Sequence, residues 1–130
     1  MNLEQAYRVI FNFLLNYYSE TYDEGLGDLL SSMHLDTFIN NSPEPMSADP
    51  IVWEDWEDTA SKITDKNYLS SEEAYRAMIK FLQPYNDKWG FEIQWIIDIL
   101  SRESHNSEKW VKLINKVDKV NDTNTEKSLN

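Results

Sequence analysis

Apolar residues recur along most of this chain at intervals of three and four, the spacing of a helix that buries one side. The first stripe is long, and further apolar residues surround it, so we predict a helix over 3–18 that is buried on more than one side. The stripe consists of Leu3, Ala6, Tyr7, Ile10, Leu14 and Tyr17. Only three glycines and four prolines occur in 130 residues, which also favours an all-α fold.

Turn and capping residues predict the next two helices. Gly25 and Gly27 are expected to break the chain before a short second helix. The turn-forming residues over 40–50 predict a loop. The loop ends in Asp49-Pro50, an N-cap followed by proline at the first helical position, and this pair predicts a third helix over 50–63.

Three further helices are predicted in the second half. Ser70 or Ser71 caps the fourth helix, which Pro84 should end early or kink. A fifth helix is expected at about 89–103, and Ser107 opens a sixth. We therefore predict an all-α, single-domain bundle of about six helices.

The expected domain covers residues 1–120. Residues 121–130 are polar and without periodicity, and they are predicted to form a disordered tail. The apolar run at the N-terminus is interrupted by polar residues, and no apolar stretch reaches the roughly 20 residues of a membrane span. Cysteine is absent, which excludes disulfides and thiolate metal sites. We expect a soluble cytoplasmic protein.

A short pattern repeats in the chain with an offset of 68. Glu4-Gln5-Ala6-Tyr7-Arg8 returns as Glu72-Glu73-Ala74-Tyr75-Arg76, Phe13-Leu14 as Phe81-Leu82, and Tyr17 as Tyr85. Two helix hairpins packed with pseudo-two-fold symmetry would explain the repeat, with the third helix linking them and the sixth closing the bundle. Coincidence between common helix residues would explain it as well.

Negative charge is confined to one half of the chain. Residues 1–61 contain twelve carboxylates and a single base, Arg8, whereas 62–130 contain eleven acids and eleven bases. The formal net charge of −11 therefore belongs to the first half. Such a surface repels nucleic acid and anionic membrane and attracts a basic partner, so neither nucleic acid nor membrane is an expected partner.

The third helix carries the densest group of acids. At 100° per residue, Trp53 and Trp56 point into the bundle, while the four acids among residues 54–58 point outward. These acids are Glu54, Asp55, Glu57 and Asp58, and Asp58 can reach Lys62 four residues on. Like-charged neighbours on a helix cost about 0.2–0.5 kcal/mol per pair. The group is either a recognition face for a basic partner or a solvated face that serves solubility.

A second acidic group surrounds the first break in the chain. Glu20, Asp23, Glu24 and Asp28 are expected on a loop that adds to the same acidic surface, or on a hairpin turn with solvated ends. That the two groups share one face is an assumption.

Catalytic motifs are not apparent. Glu54-x-x-Glu57 and Glu20-x-x-Asp23 have the carboxylate spacing with which all-helical nucleotide pyrophosphatases hold Mg²⁺, but the two pairs stand in reversed order. The two histidines, His34 and His105, are isolated, and no serine occupies a nucleophile elbow. We predict no catalytic residues, no metal ligands and no cofactor. A Mg²⁺-dependent nucleotide hydrolase is the alternative.

Three segments resemble a group of small bacterial helical proteins, the immunity proteins of contact-dependent growth inhibition and related polymorphic toxin systems. The segments are Gly25-Leu-Gly-Asp-Leu-Leu-Ser-Ser-Met33, then Ala48-Asp-Pro50 with Trp53 and Trp56, and Glu72-Glu-Ala-Tyr-Arg-Ala-Met78 with Phe81-Leu82. The resemblance spans about residues 3–103, so the sixth helix and the tail fall outside it. Its motifs concern structure rather than chemistry.

The resemblance implies that the chain binds and neutralises a toxin domain, and that it is not an enzyme. Many such toxins are nucleases with basic clefts, which an acidic face can fill in place of the phosphate backbone. The residues expected to contact toxin lysines and arginines are Asp23, Glu24, Asp28, Glu54, Asp55, Glu57 and Asp58. A general adaptor or chaperone for basic proteins is a further alternative. The chain is expected to be a monomer or a weak dimer through its sixth helix.

Overall fold

The computed structural model describes residues 1–35 and 47–117, and within them it contains six helices and no strand. The helices are α1 (Leu3–Thr21), α2 (Glu24–Met33), α3 (Pro50–Ser61), α4 (Ser71–Asp87), α5 (Gln94–Arg102) and α6 (residues 108–117). The predicted all-α bundle is confirmed. Most of the loop expected at 40–50, and the tail expected at 121–130, lie outside the described residues.

The predicted helix starts depend on side chains that satisfy the first free amides. Asp49 caps α3 by accepting a hydrogen bond from the Ile51 amide at 3.1 Å, and Ser70 caps α4. At Ser70 the bond is reciprocal, because the Glu73 side chain accepts from the Ser70 amide at 2.9 Å. The start of α1 has the same capping box, between Asn2 and Gln5.

The sequence suggested that the chain breaks at the glycines, but the first break lies before them. Helix α1 continues to Thr21, Tyr22 adopts the left-handed conformation at φ 51°, and Asp23 then caps α2. Gly25 and Gly27 are therefore inside α2. The second acidic group therefore does not lie on a loop: Glu20 is at the end of α1, Asp23 caps α2, and Glu24 and Asp28 are within α2.

Close packing explains why glycine occupies these two helical positions. A Cβ atom at Gly25 would overlap the carbonyl oxygen of Phe91, and one at Gly27 would lie 2.8 Å from the ring of Tyr18. The absence of a side chain lets α2 approach α1 and the chain between α4 and α5. This contact offsets the roughly 1 kcal/mol that glycine costs within a helix.

Two boundaries in the second half differ from those expected. Helix α4 continues past Pro84 to Asp87, so of the early end or kink expected there the early end does not occur, because Pro84 removes the amide donor of only one helical hydrogen bond. Helix α5 begins later than expected, since Gly90 and Glu92 both have positive φ angles and the chain turns there. The side chain of Asn86 accepts the Ile93 amide at 3.0 Å and closes this turn.

Helix α1 lies at the centre of the bundle and packs against α2, α3 and α4. Its buried face includes Tyr7, Ile10 and Leu14, as the apolar stripe predicted. None of the helices in the described ranges combines the length and the apolar character that a membrane span requires.

Hydrogen bonds follow the repeat that the sequence indicated. Met1 and Leu69, which are 68 residues apart, exchange two backbone hydrogen bonds of 2.8 Å each. The hydroxyl of Tyr7 donates to the carbonyl of Met33 at the end of α2, and the hydroxyl of Tyr75 donates to that of Leu100 in α5. Each half thus ties its long helix to the helix that follows it.

The same relation holds for α3 and α6. The indole N–H of Trp56 donates to the carbonyl of Leu3 at the start of α1, and that of Trp110 donates to Ser71 at the start of α4, both at 3.0 Å. The ring of Trp56 packs edge-on against Tyr7 and Phe81, and that of Trp110 against Tyr75 and Phe13. The repeat unit is therefore three helices, and α3 is part of a unit rather than a link between two hairpins.

Candidate protein-binding surface

Helix α3 presents its carboxylates much as its periodicity predicted. Trp56 is fully buried, and Trp53 is partly buried with its ring centroid 5.1 Å from that of Tyr7. Glu54 and Glu57 are exposed, and neither has a hydrogen-bond or ion-pair partner within residues 1–35 and 47–117. The buried tryptophan holds the helix in place, so the helix sets the side on which Glu54 and Glu57 leave the bundle.

Asp55 was expected to point outward, and that expectation is wrong. Its carboxylate is half-buried and accepts a hydrogen bond of 2.6 Å from the hydroxyl of Tyr85 in α4. Burial raises the pKa of Tyr85, and the bond to Asp55 raises this pKa further. Asp55 is therefore a structural acceptor that ties α3 to α4.

The predicted pair between Asp58 and Lys62 is confirmed. Their charged atoms are 3.1 Å apart, and both side chains are well exposed. Exposed pairs of this kind contribute only a few tenths of a kcal/mol. Asp58 thus remains available to a partner that can displace Lys62.

The second acidic group includes two carboxylates that the fold already uses. Glu20 pairs with Lys109 of α6 at 3.3 Å, and the ammonium of Lys109 also lies 5.0 Å above the ring of Tyr17. Asp23 accepts a hydrogen bond of 3.0 Å from the Leu26 amide as the N-cap of α2. Asp23 therefore caps α2. The sequence did not indicate this role, because the nearby Gly25 and Gly27 suggested a break in the chain.

Glu24 and Asp28 are the exposed members of this group. No hydrogen bond or ion pair of either carboxylate occurs within the described part of the chain. Both residues line a groove of about 590 Å³ between α1 and α2. The structure thus brings these two predicted site residues together.

The floor of this α1/α2 groove was not identified from the sequence. It is formed by Phe11, Leu15, Tyr18 and Tyr22, of which Leu15 is 41% and Tyr22 is 73% exposed. Their spacing of four, three and four was a signal for a second apolar stripe on α1. The sequence predicts that this side of α1 is also buried, since periodicity does not distinguish a buried face from an exposed one.

The acids of α3 border a different groove. Asp55 and Asp58 line a cavity of about 420 Å³ between α3 and α4, together with the exposed side chains of Ile51 and Trp89. Glu24 and Asp28 do not line this cavity, and no acid of α3 lines the α1/α2 groove. The two acidic groups therefore border two different grooves, and they are called the α3 surface and the α1/α2 groove.

The arrangement of these acids also bears on metal binding. Among residues 1–35 and 47–117, no group of three or more His, Asp or Glu side chains is arranged to hold a metal ion. In the Glu20-x-x-Asp23 pair, one carboxylate binds Lys109 and the other caps a helix.

Comparison of the chain with protein-family profiles, with curated proteins and with solved structures gave no match. The function is therefore argued from the surface chemistry of this chain.

Proposed function

We propose that this protein is an immunity-type inhibitor, which binds a basic toxin domain of a bacterial contact-dependent inhibition or related polymorphic toxin system and has no enzymatic activity of its own. The observation that carries the proposal is the pair of exposed carboxylates of Glu54 and Glu57 on helix α3, which have no partner among the described residues. An acidic row on a helix matches a basic cleft in charge. The resemblance of the sequence to immunity proteins supports the same function.

The charge distribution supports fast capture of such a partner. The whole net charge of −11 lies within residues 1–61, which include α3 and the α1/α2 groove. Long-range attraction can raise association rates to about 10⁸ M⁻¹s⁻¹ or more at low salt. An inhibitor must act before a toxin finds its substrate, so a high association rate suits this role.

Co-purification tests the proposal. The chain, tagged, is co-expressed with the untagged C-terminal domain of the protein encoded immediately upstream, and the complex is washed over a salt series. We expect a stoichiometric complex that survives moderate salt. Weak binding of many unrelated basic proteins would favour an adaptor instead, and no partner at any salt would contradict the proposal.

A charge-reversed variant localises the contact. Glu54→Lys with Glu57→Lys should slow association by roughly tenfold or more at low salt and leave the fold intact. Glu92→Lys with Glu108→Lys is the matched control, because it makes the same change in net charge at exposed positions of the second half. Equal association rates for the two variants would exclude α3 from the interface.

A further inference from the structure

The α1/α2 groove has a counterpart in the second half of the molecule, and the counterpart is closed. There the amide of Gln83 donates to the side-chain oxygen of Gln94 at 3.0 Å, and the amide of Asn86 donates to the same oxygen at 3.1 Å. Gln94 donates in turn to Asp98 at 2.9 Å. These bonds join α4 to α5 and satisfy the polar groups within the chain.

The residues of the two grooves correspond through the repeat. With the offset of 68, Leu15, Tyr18 and Tyr22 of α1 correspond to Gln83, Asn86 and Gly90. The buried residues of α2 and α5 correspond with an offset of 67: Leu26, Leu29, Leu30 and Met33 match Ile93, Ile96, Ile97 and Leu100. By that offset Gly27 takes the place of Gln94, the side chain that crosses the second groove. Among the described residues, the first groove is therefore open because no side chain crosses it, and Leu15 and Tyr18 replace the amides of Gln83 and Asn86.

The chemistry of the open groove is specific. Its floor is aromatic and aliphatic, Glu24 and Asp28 also line it, and its lining among the described residues includes His34 but no lysine or arginine. A cation on an alkyl stem fits all three features. The stem packs on Leu15 and Tyr18, the aromatic ring faces attract the charge, and the carboxylates accept charge-assisted hydrogen bonds.

We propose that the α1/α2 groove is a specificity pocket for an arginine- or lysine-bearing apolar segment of the partner protein. The inference deepens the proposed function, on which it rests for the identity of the partner. The α3 surface supplies long-range attraction, whereas the groove supplies the short-range contact that slows dissociation.

A variant that carries the side chains of the closed groove tests whether the α1/α2 groove, and not the α3 surface, slows dissociation. Leu15→Gln with Tyr22→Gly copies the residues at the corresponding positions, and glycine suits the left-handed conformation of Tyr22. We expect dissociation of the co-purified toxin domain to accelerate by about tenfold or more, with little change in association rate or salt dependence. Val111→Gln with Tyr68→Gln is the matched control, since these side chains are also exposed, at 37% and 62%.

Two results with the groove variant would overturn the proposal. Unchanged dissociation in the groove variant would overturn the proposal while leaving the inhibitor function intact. A fall of more than about 10 °C in the melting temperature of the free groove variant would also overturn it, because residues this exposed contribute little unless the chain itself covers them.

A titration without the toxin keeps the two proposals separate. The probe is a 14-residue amphipathic peptide with arginine and leucine on one face, followed by amide chemical shifts at 0.15 M salt. The expected changes centre on Tyr18, Tyr22 and Gly27 and disappear when the leucines are replaced by serine. Changes centred on α3 instead would overturn the pocket. Failure to find any toxin partner would contradict the inhibitor function without affecting this readout.

Discussion

The carboxylates of α3 have different tasks although they are neighbours in sequence. Asp55 accepts a hydrogen bond from the hydroxyl of Tyr85, whereas the carboxylates of Glu54 and Glu57 have no hydrogen-bond or ion-pair partner among the described residues. Replacing Asp55 with alanine leaves that partly buried hydroxyl without an acceptor, so we expect the free energy of unfolding to fall by about 1–2 kcal/mol. Glu54→Ala and Glu57→Ala should change it by less than about 0.5 kcal/mol, as measured by urea unfolding.

Tyr85→Phe completes the comparison as a double-mutant cycle. The change removes the hydroxyl and leaves the ring in contact with Phe81 and Phe91. If the hydrogen bond carries the effect, the double variant is less destabilised than the sum of the single variants. Strict additivity would mean that Asp55 acts in some other way.

Buried tyrosines predict how stability depends on pH. Burial raises the pKa of Tyr75 from 10.0 to about 12, and burial with the nearby Glu103 does the same for Tyr17. Unfolded tyrosines lose their protons first, so this stabilisation is complete below pH 10 and is lost as the pH rises towards 12. We expect the free energy of unfolding to decline over this range, most steeply near pH 11, midway between the two pKa values.

Phenylalanine substitution identifies the groups responsible. Tyr75→Phe removes a titrating hydroxyl, together with its 2.7 Å hydrogen bond to Leu100. The variant should be less stable at pH 8 and should show a shallower decline between pH 10 and 11.5. An unchanged slope would show that Tyr75 does not contribute to the alkaline loss of stability.

At the scale of helices, the packing of α2 depends on a missing side chain. Gly25→Ala would bring a Cβ atom into the backbone oxygen of Phe91, which belongs to the main chain and cannot rotate away. We expect a loss of about 2 kcal/mol or more, in spite of the gain of roughly 1 kcal/mol that alanine gives to a helix.

Two other substitutions on α2 serve as controls for Gly25→Ala, and thermal unfolding compares all three. Gly27→Ala meets the ring of Tyr18, which can move, so its cost should be smaller. Ser31→Ala is on the exposed side of the same helix and should be neutral or slightly stabilising. Equal stability of the Gly25 and Ser31 variants would contradict the close approach seen here.

Helix starts were predictable because their signals are local. Asp49-Pro50 and Ser70 act on amides within three residues, so the sequence alone contains both partners of each bond. The two glycines of α2 were misread because a glycine that breaks a helix and one that admits a neighbour look the same. Only the positions of Phe91 and Tyr18 in space distinguish them.

The candidate site was predictable in part for the same reason. Periodicity placed Glu54 and Glu57 on the outer side of α3, since direction on a helix follows from spacing. It did not reveal the acceptor role of Asp55, whose partner is 30 residues away. The open α1/α2 groove depends on Gly27 standing where the other half has Gln94, and that correspondence emerges only from the folded repeat.

Across the whole molecule, packing is repeated but charge is not. Aligning Trp56 with Trp110 sets Asp55 against Lys109 and Asp58 against Lys112. Asp55 and Lys109 contact the corresponding tyrosines, Tyr85 and Tyr17. Asp55 therefore has a role in the fold. Glu57, by contrast, stands where α6 has Val111, and Asp58 stands where it has Lys112, so the bundle does not require an acid at these two positions. The excess of acid on α3 therefore calls for an explanation outside the fold, such as a basic partner.

We therefore expect the acidic α3 surface to be retained at a cost to stability. Glu54→Lys with Glu57→Lys changes the formal net charge from −11 to −7 and removes like-charge neighbours on α3. We expect the free variant to melt at the same temperature as the original chain or a few degrees above it in 20 mM NaCl. Added salt screens repulsion, so the original chain should gain more from 500 mM NaCl than the variant does.

The melting temperature of this variant shows whether Glu54 and Glu57 serve binding or folding. A stable variant that no longer captures the toxin domain has lost recognition alone, as expected where function and stability compete. A variant that melts well below the original chain at low salt would mean that Glu54 and Glu57 support the bundle. In that case, exposed carboxylates without partners would no longer be evidence for a partner, and the α1/α2 groove would be the surface left to test.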